Sequence, residues 1–170
     1  MNIFHKLMDK LGRYRSIPDR RTNLPYMDRY YLFLKDRKTF PFNVTLHVIK
    51  RSDDPIMHDH PWPFMTIILR GGYWEHTPVF NKSGQIVGDT KVFKGPGSIV
   101  RRSAKELHWL ELDNDRPATT LFFMGPHQRE WGFIVKTRKG LNKWIRWDHY
   151  LSDWKAYHEK HVMVKQDKKQ

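Results

Sequence analysis

From Phe42 to Val135 apolar and polar residues alternate in short runs broken by turn signals, the pattern of half-buried β-strands. NVTLHVIKR (residues 43–51) is rich in branched side chains and stops at the turn SDDP (52–55). FMTIILR (64–70) runs into Gly71-Gly72, and YWEHTPVF (73–80) reads as the returning strand of a hairpin. NKSG (81–84) turns again before QIVGDTKVF (85–93), and Gly95-Pro96-Gly97 leads into SIVRR (98–102). LHWLEL (107–112), the turn DNDRP (113–117), ATTLFFMG (118–125) and REWGFIV (129–135) complete the series. Strands this short, with turns about every 8–12 residues, predict an all-β sandwich or closed barrel.

The two ends read differently. Residues 21–37, RTNLPYMDRYYLFLKDR, fit either a strand or a short helix after Pro25. Trp147, Leu151, Trp154 and His158 recur at helical spacing, as do Tyr150, Trp154, Tyr157 and His161. That spacing predicts a C-terminal amphipathic helix over about 147–162 packed outside the barrel, followed by a frayed KQDKKQ. The 170 residues fit one domain: an N-terminal extension (1–40), a barrel core (41–135) and a basic, helical C-terminal extension (136–170).

Charge follows the same division. Residues 1–40 carry ten Lys/Arg against four Asp/Glu, residues 41–130 eleven against ten, and residues 131–170 ten against four, so +6, +1 and +6 make the net +13. Basic flanks of this kind either keep the chain soluble or attract an anionic partner such as nucleic acid. There are no cysteines, which excludes disulfides, zinc knuckles and thiol nucleophiles. Any metal site must therefore be built from His, Asp and Glu. No apolar run reaches signal-peptide or membrane-span length, and the expected location is the cytoplasm, without membrane association.

The chemistry concentrates in histidines. His58 and His60 are two apart, so on a strand both imidazoles face one side while Asp59 faces the other. Imidazole suits first-row metals, and a third ligand must come from another strand. His108 is the best candidate, because it shares strand parity with Leu110 and Leu112, an inward-reading pair.

In this context MHDHPWPFMTIILRGG (57–72) resembles the first motif of the cupin family, an HxH followed by an apolar strand and a glycine turn. GPGSIVRRSAKELH (95–108) resembles the second, a Pro-Gly turn, a strand, an Arg and then a His. The resemblance covers about residues 43–125 and implies the RmlC-like jelly-roll barrel, or double-stranded β-helix, with one divalent metal on His58, His60 and His108. Many cupins add a Glu at the start of the strand after HxH, where this chain has Phe64 and Met65. The ligand set thus looks more like the three-histidine branch, which includes the cysteine and thiol dioxygenases. That likeness favours Fe(II), with Zn, Ni and Mn left open. The absence of cysteine excludes the Cys–Tyr crosslink found in some of those enzymes. Glu75 has three readings: a fourth ligand, a partner that orients an imidazole through its other ring nitrogen, or an exposed strand residue.

Candidates for gripping an anionic substrate are Arg101 and Arg102, of which strand parity sends one inward, and more weakly Arg70 and Arg51. The resemblance favours a structural role for Arg102. Trp62, Tyr73 and Trp131 are candidate pocket walls, with ordinary core packing the alternative. The leading expectation is a non-haem iron oxygenase acting on a small, anionic or thiol-containing substrate. The alternatives are a metal-dependent isomerase or lyase, and a non-catalytic cupin that binds a small ligand or nucleic acid. A homodimer paired through sheet edges is a further expectation.

Overall fold

The computed structural model describes residues 3–19, 22–35 and 40–150. A short helix, α1 (Ile3–Lys10), precedes eleven strands: β1 (Tyr14–Pro18), β2 (Pro25–Tyr31), β3 (Asn43–Ile49), β4 (Phe64–Arg70), β5 (Tyr73–Phe80), β6 (Ile86–Lys94), β7 (Ile99–Arg102), β8 (Trp109–Leu112), β9 (Ala118–Met124), β10 (Gly132–Lys136) and β11 (Asn142–Arg146). Six strands form one sheet in the order β1-β2-β3-β9-β4-β7, three form a second as β6-β5-β8, and β10 pairs with β11. All of these pairings are antiparallel.

Strand periodicity decides what fills the space between the sheets. β3 buries Asn43, Thr45, His47 and Ile49, every second residue. The apolar core joins Met27, Ile49, Ile68, Val100 and Ala118 of the large sheet to Tyr73 and Leu112 of the small one. Each of its Met, Ile, Val and Leu side chains contributes about 1.5–3 kcal/mol by leaving water. The same inner faces also bury Thr45, His47, Thr66, Thr120, Glu75 and His108. The apolar core therefore runs directly into a pocket where buried polar side chains such as His47, Glu75 and His108 sit among apolar walls.

Four local readings change. Gly71-Gly72 does not close a hairpin: β4 belongs to the large sheet and β5 to the small one. The glycines carry the chain from sheet to sheet, with Gly71 at φ +70° and no room for a Cβ on Gly72, which would meet the Phe93 ring and the Lys94 carbonyl. Residues 25–31 form a strand, and with β1 it places residues 14–18 and 25–31 in the large sheet. The barrel thus starts well before residue 41. In the C-terminal extension residues 142–146 are a strand, paired with Gly132–Lys136. Residues 147–150 are helical, while the rest of the expected helix (151–162) and the KQDKKQ tail lie outside the described residues.

The helix α1 and strand β1 had no clear sequence signal. The helix docks by His5 Nδ1, 2.9 Å from the Tyr30 hydroxyl, and by Phe4, whose ring centroid lies 5.2 Å from that of Tyr30. No helix among the described residues is long and apolar enough to cross a membrane.

Candidate metal centre

His58, His60 and His108 offer ligand nitrogens that all lie within 4.8 Å of one another. Backbone pairing brings them together. The His58 N–H donates to the His108 carbonyl at 3.0 Å, and the His108 N–H returns the bond to His58 at 3.1 Å. The three rings form a near-equilateral triangle, with centroids 5.3 Å (58–60), 5.1 Å (58–108) and 5.0 Å (60–108) apart.

Neighbouring acceptors fix two of the tautomers. His108 Nδ1 lies 3.0 Å from Glu75 Oε1, and His58 Nδ1 lies 3.3 Å from the Ile56 carbonyl. Each contact holds the proton on Nδ1 and leaves the Nε2 lone pair for the cluster. Burial pushes the His58 and His60 imidazoles below the ordinary histidine range, and the His108 ring lowers both further. Neutral imidazole is the form that binds metal.

The spacing tests whether an ion fits. Nε2 of His60 and Nε2 of His108 stand 2.8 Å apart, a distance that suits a hydrogen bond from His60 as its Nε2–H tautomer or, with both nitrogens bare, a cation between them. Two metal–nitrogen bonds of about 2.0–2.1 Å span 2.8 Å at close to a right angle, whereas a tetrahedral angle would spread them to about 3.4 Å. Three imidazoles that converge in this way suit one first-row metal ion.

Glu75 is buried, with 2% of its surface exposed, and it faces the cluster without joining it. Arg102 donates to both its oxygens, Nε to Oε1 at 3.0 Å and Nη2 to Oε2 at 2.8 Å. Burial alone would raise the Glu75 carboxyl, but the bonds from His108 and Arg102 outweigh it and hold the group at about 2. With its oxygens occupied, Glu75 orients His108 and is neither exposed nor placed as a fourth ligand.

The cluster lines a small cavity of about 120 Å³, with Trp62, Phe64, Tyr73 and Phe122 among its walls. Trp131 packs instead on the His58 side, with ring centroids 6.4 Å apart. Arg102 turns inward to Glu75, while Arg101, Arg70 and Arg51 are exposed. Arg70 borders a separate cleft with Arg116.

Sequence reasoning missed Arg29 and His47, which both line the pocket. The Arg29 Nε–H donates to His47 Nε2 at 3.1 Å, and no other described residue pairs with its terminal nitrogens. Burial, and then the Arg29 charge, push the His47 imidazole well down, so that it stays neutral. The usable signal was the inward parity of His47 between Leu46 and Val48. Arg29 carried none while its segment was undecided between strand and helix.

No family model matches the sequence, and no curated protein matches it. Solved structures do. The polyketide cyclase RemF from Streptomyces resistomycificus shares 14% identity over 66% of this chain and 74% of that chain, with a TM-score of 0.50. An RmlC-like cupin protein from Ralstonia eutropha JMP134 shares 14% identity over 89% and 85%, at 0.49, and ectoine synthase from P. lautus 14% over 65% and 68%, at 0.44. At such identities the likeness to RemF speaks to fold alone. The chain shares the fold of RemF, an all-β jelly roll, and carries in it a cluster of three histidines, His58, His60 and His108.

Proposed function

We propose that the protein holds one divalent metal, Fe(II) in our reading, on His58, His60 and His108, and acts as a non-haem oxygenase on a small anionic substrate. The observation that carries this is the convergence of three imidazole nitrogens within 4.8 Å beside an open pocket. An ion bound there would supply Lewis acidity and open coordination positions for substrate and dioxygen.

The chain's own residues do the rest. Glu75 and the Ile56 carbonyl aim two of the imidazoles. Phe64 packs edge-on against His60, with ring centroids 4.8 Å apart, and limits how that ring can turn. Phe64, Phe122 and Trp62 exclude water from the pocket. Arg29, braced by His47, presents its two terminal nitrogens to a carboxylate or a similar planar anion.

Elemental analysis of the purified protein tests the metal, with iron expected at about one per chain and lost in His58→Ala and His108→Ala. Oxygen uptake with a panel of small carboxylates and thiols tests the reaction. Zinc or nickel with no oxygen uptake would overturn the oxygenase reading, and no retained metal would overturn the centre itself.

A further inference from the structure

Asp59 sits between two of the three clustered histidines, yet it faces away from them and is 1% exposed. A carboxylate so deeply buried demands partners, and it finds them on one distant stretch of chain. Its Oδ1 accepts the Gly132 N–H at 2.7 Å. Its Oδ2 accepts Arg129 Nη1 at 2.7 Å and the Trp144 indole Nε1–H at 3.0 Å. The backbone agrees: the Asp59 N–H donates to the Gly132 carbonyl at 3.1 Å, and the Ile134 N–H to Met57 at 2.8 Å.

These bonds seat the β10–β11 hairpin on the segment that carries His58 and His60. Trp131 and Phe133, on either side of Gly132, then flank His58 at 6.4 and 5.8 Å between ring centroids. Gly132 itself admits no side chain, because a Cβ would lie 2.2 Å from the Ile145 carbonyl and 2.7 Å from the Trp144 ring. Arg129 lies over that indole at 5.5 Å. The hairpin belongs to neither barrel sheet, so its position depends on contacts of this kind.

We infer that Asp59 is a positioning residue: it clamps the β10–β11 hairpin over His58 and so sets how far the histidine cluster is shielded from solvent. Insofar as the cluster is a metal centre, this rests on the reading above, but the clamp is measurable without it. Asp59→Asn keeps the size and an acceptor for Gly132 while setting an amide N–H₂ against the Arg129 and Trp144 donors. Trp144→Phe removes one donor and keeps the aromatic ring.

The experiment pairs hydrogen exchange of the full chain with diethyl pyrocarbonate labelling of His58, read by peptide mapping. In Asp59→Asn the amides of residues 132–136 and the His58 label should both speed up by about tenfold or more, the scale expected when bonds to a buried charge are lost. Trp144→Phe should show a smaller rise in both, and β3 and β9 should keep wild-type exchange. If hairpin exchange rises while His58 labelling does not, the hairpin is no cover and the inference fails. It fails equally if neither rate moves in either variant. Should Asp59→Asn unfold, Trp144→Phe alone decides. Cobalt(II) release to a chelator should also be faster in both variants, a readout that a remote structural contact would leave unchanged. Failure of added Co(II), Zn(II) or Fe(II) to protect wild-type His58 from the label would count against the metal reading and leave the clamp standing.

Discussion

Glu75 Oε1 lies 3.0 Å from His108 Nδ1, and the same carboxylate is gripped through both oxygens by Arg102. The carboxylate that this chain lacks as a ligand after His60 is thus present one layer out, tied to the third histidine from behind. An acceptor in that position raises the basicity of the ring and fixes its direction.

Replacing that acceptor should loosen the centre without emptying it. Glu75→Gln removes the charge and turns an amide N–H₂ toward Arg102, so divalent-metal affinity should fall by about 10–100-fold. Competition against a chelator measures it. An unchanged affinity would mean that His108 is held by its backbone pairing with His58 alone.

The buried ionisable groups predict how stability depends on pH. Glu75, held at about 2 in the fold against an ordinary 4.5, binds fewer protons folded than unfolded. Its contribution, on the order of 3 kcal/mol, is present above about 4.5 and is lost as the pH falls toward 2. His47 has the same sign at higher pH. Burial depresses it, so its neutral form favours the fold above the unfolded value of about 6.5, and that share is lost as the pH falls below it. Urea titrations from pH 7 to 3 should show decline in two stages. His47→Gln should flatten the upper stage by up to about 1.4 kcal/mol per pH unit, and Glu75→Gln the lower.

Arg29 and Arg101 separate substrate binding from surface charge. Losing the bonds of Arg29 to a charged ligand should raise KM by about 10–100-fold in Arg29→Ala while metal content stays at the wild-type level. Arg101 is exposed, and Arg101→Ala should leave both unchanged. Steady-state kinetics on any substrate found by the oxygen-uptake panel, alongside elemental analysis, decides between them.

What could be read in the sequence and what could not follow one physical division. The histidines were legible because a period of two puts His58 and His60 on one face and because His108 shares parity with inward leucines. Parity is local, so it needs no knowledge of the partner strand. Arg29 was not legible, since its place in the pocket comes from β2 pairing with β3, with Arg29 opposite His47. Asp59 was read correctly as pointing away, but its partners lie 70 to 85 residues downstream, and nothing local announces them. The glycine pair misled for a related reason: two glycines between strands signal a turn, while only the three-dimensional pairing tells a hairpin from a crossing between sheets.

That crossing yields the last prediction. Gly71 adopts φ +70°, and a Cβ there would lie 2.5 Å from the Pro117 carbonyl, a backbone atom that cannot swing aside. Gly84 has a similar φ of +74° with nothing within 4 Å of a Cβ. Gly84→Ala therefore measures the left-handed backbone alone, about 1 kcal/mol, and Gly71→Ala adds the clash, for a total of about 2–4 kcal/mol. At about 2–4 °C per kcal/mol for a chain of this size, thermal melts should separate the two variants clearly. Because β5 starts two residues after Gly71 and carries Glu75, Gly71→Ala should also weaken metal binding, while Gly84→Ala should not. Equal melting temperatures would show that the strand after Gly71 moves freely away from Pro117, and that the crossing does not hold Glu75 in register.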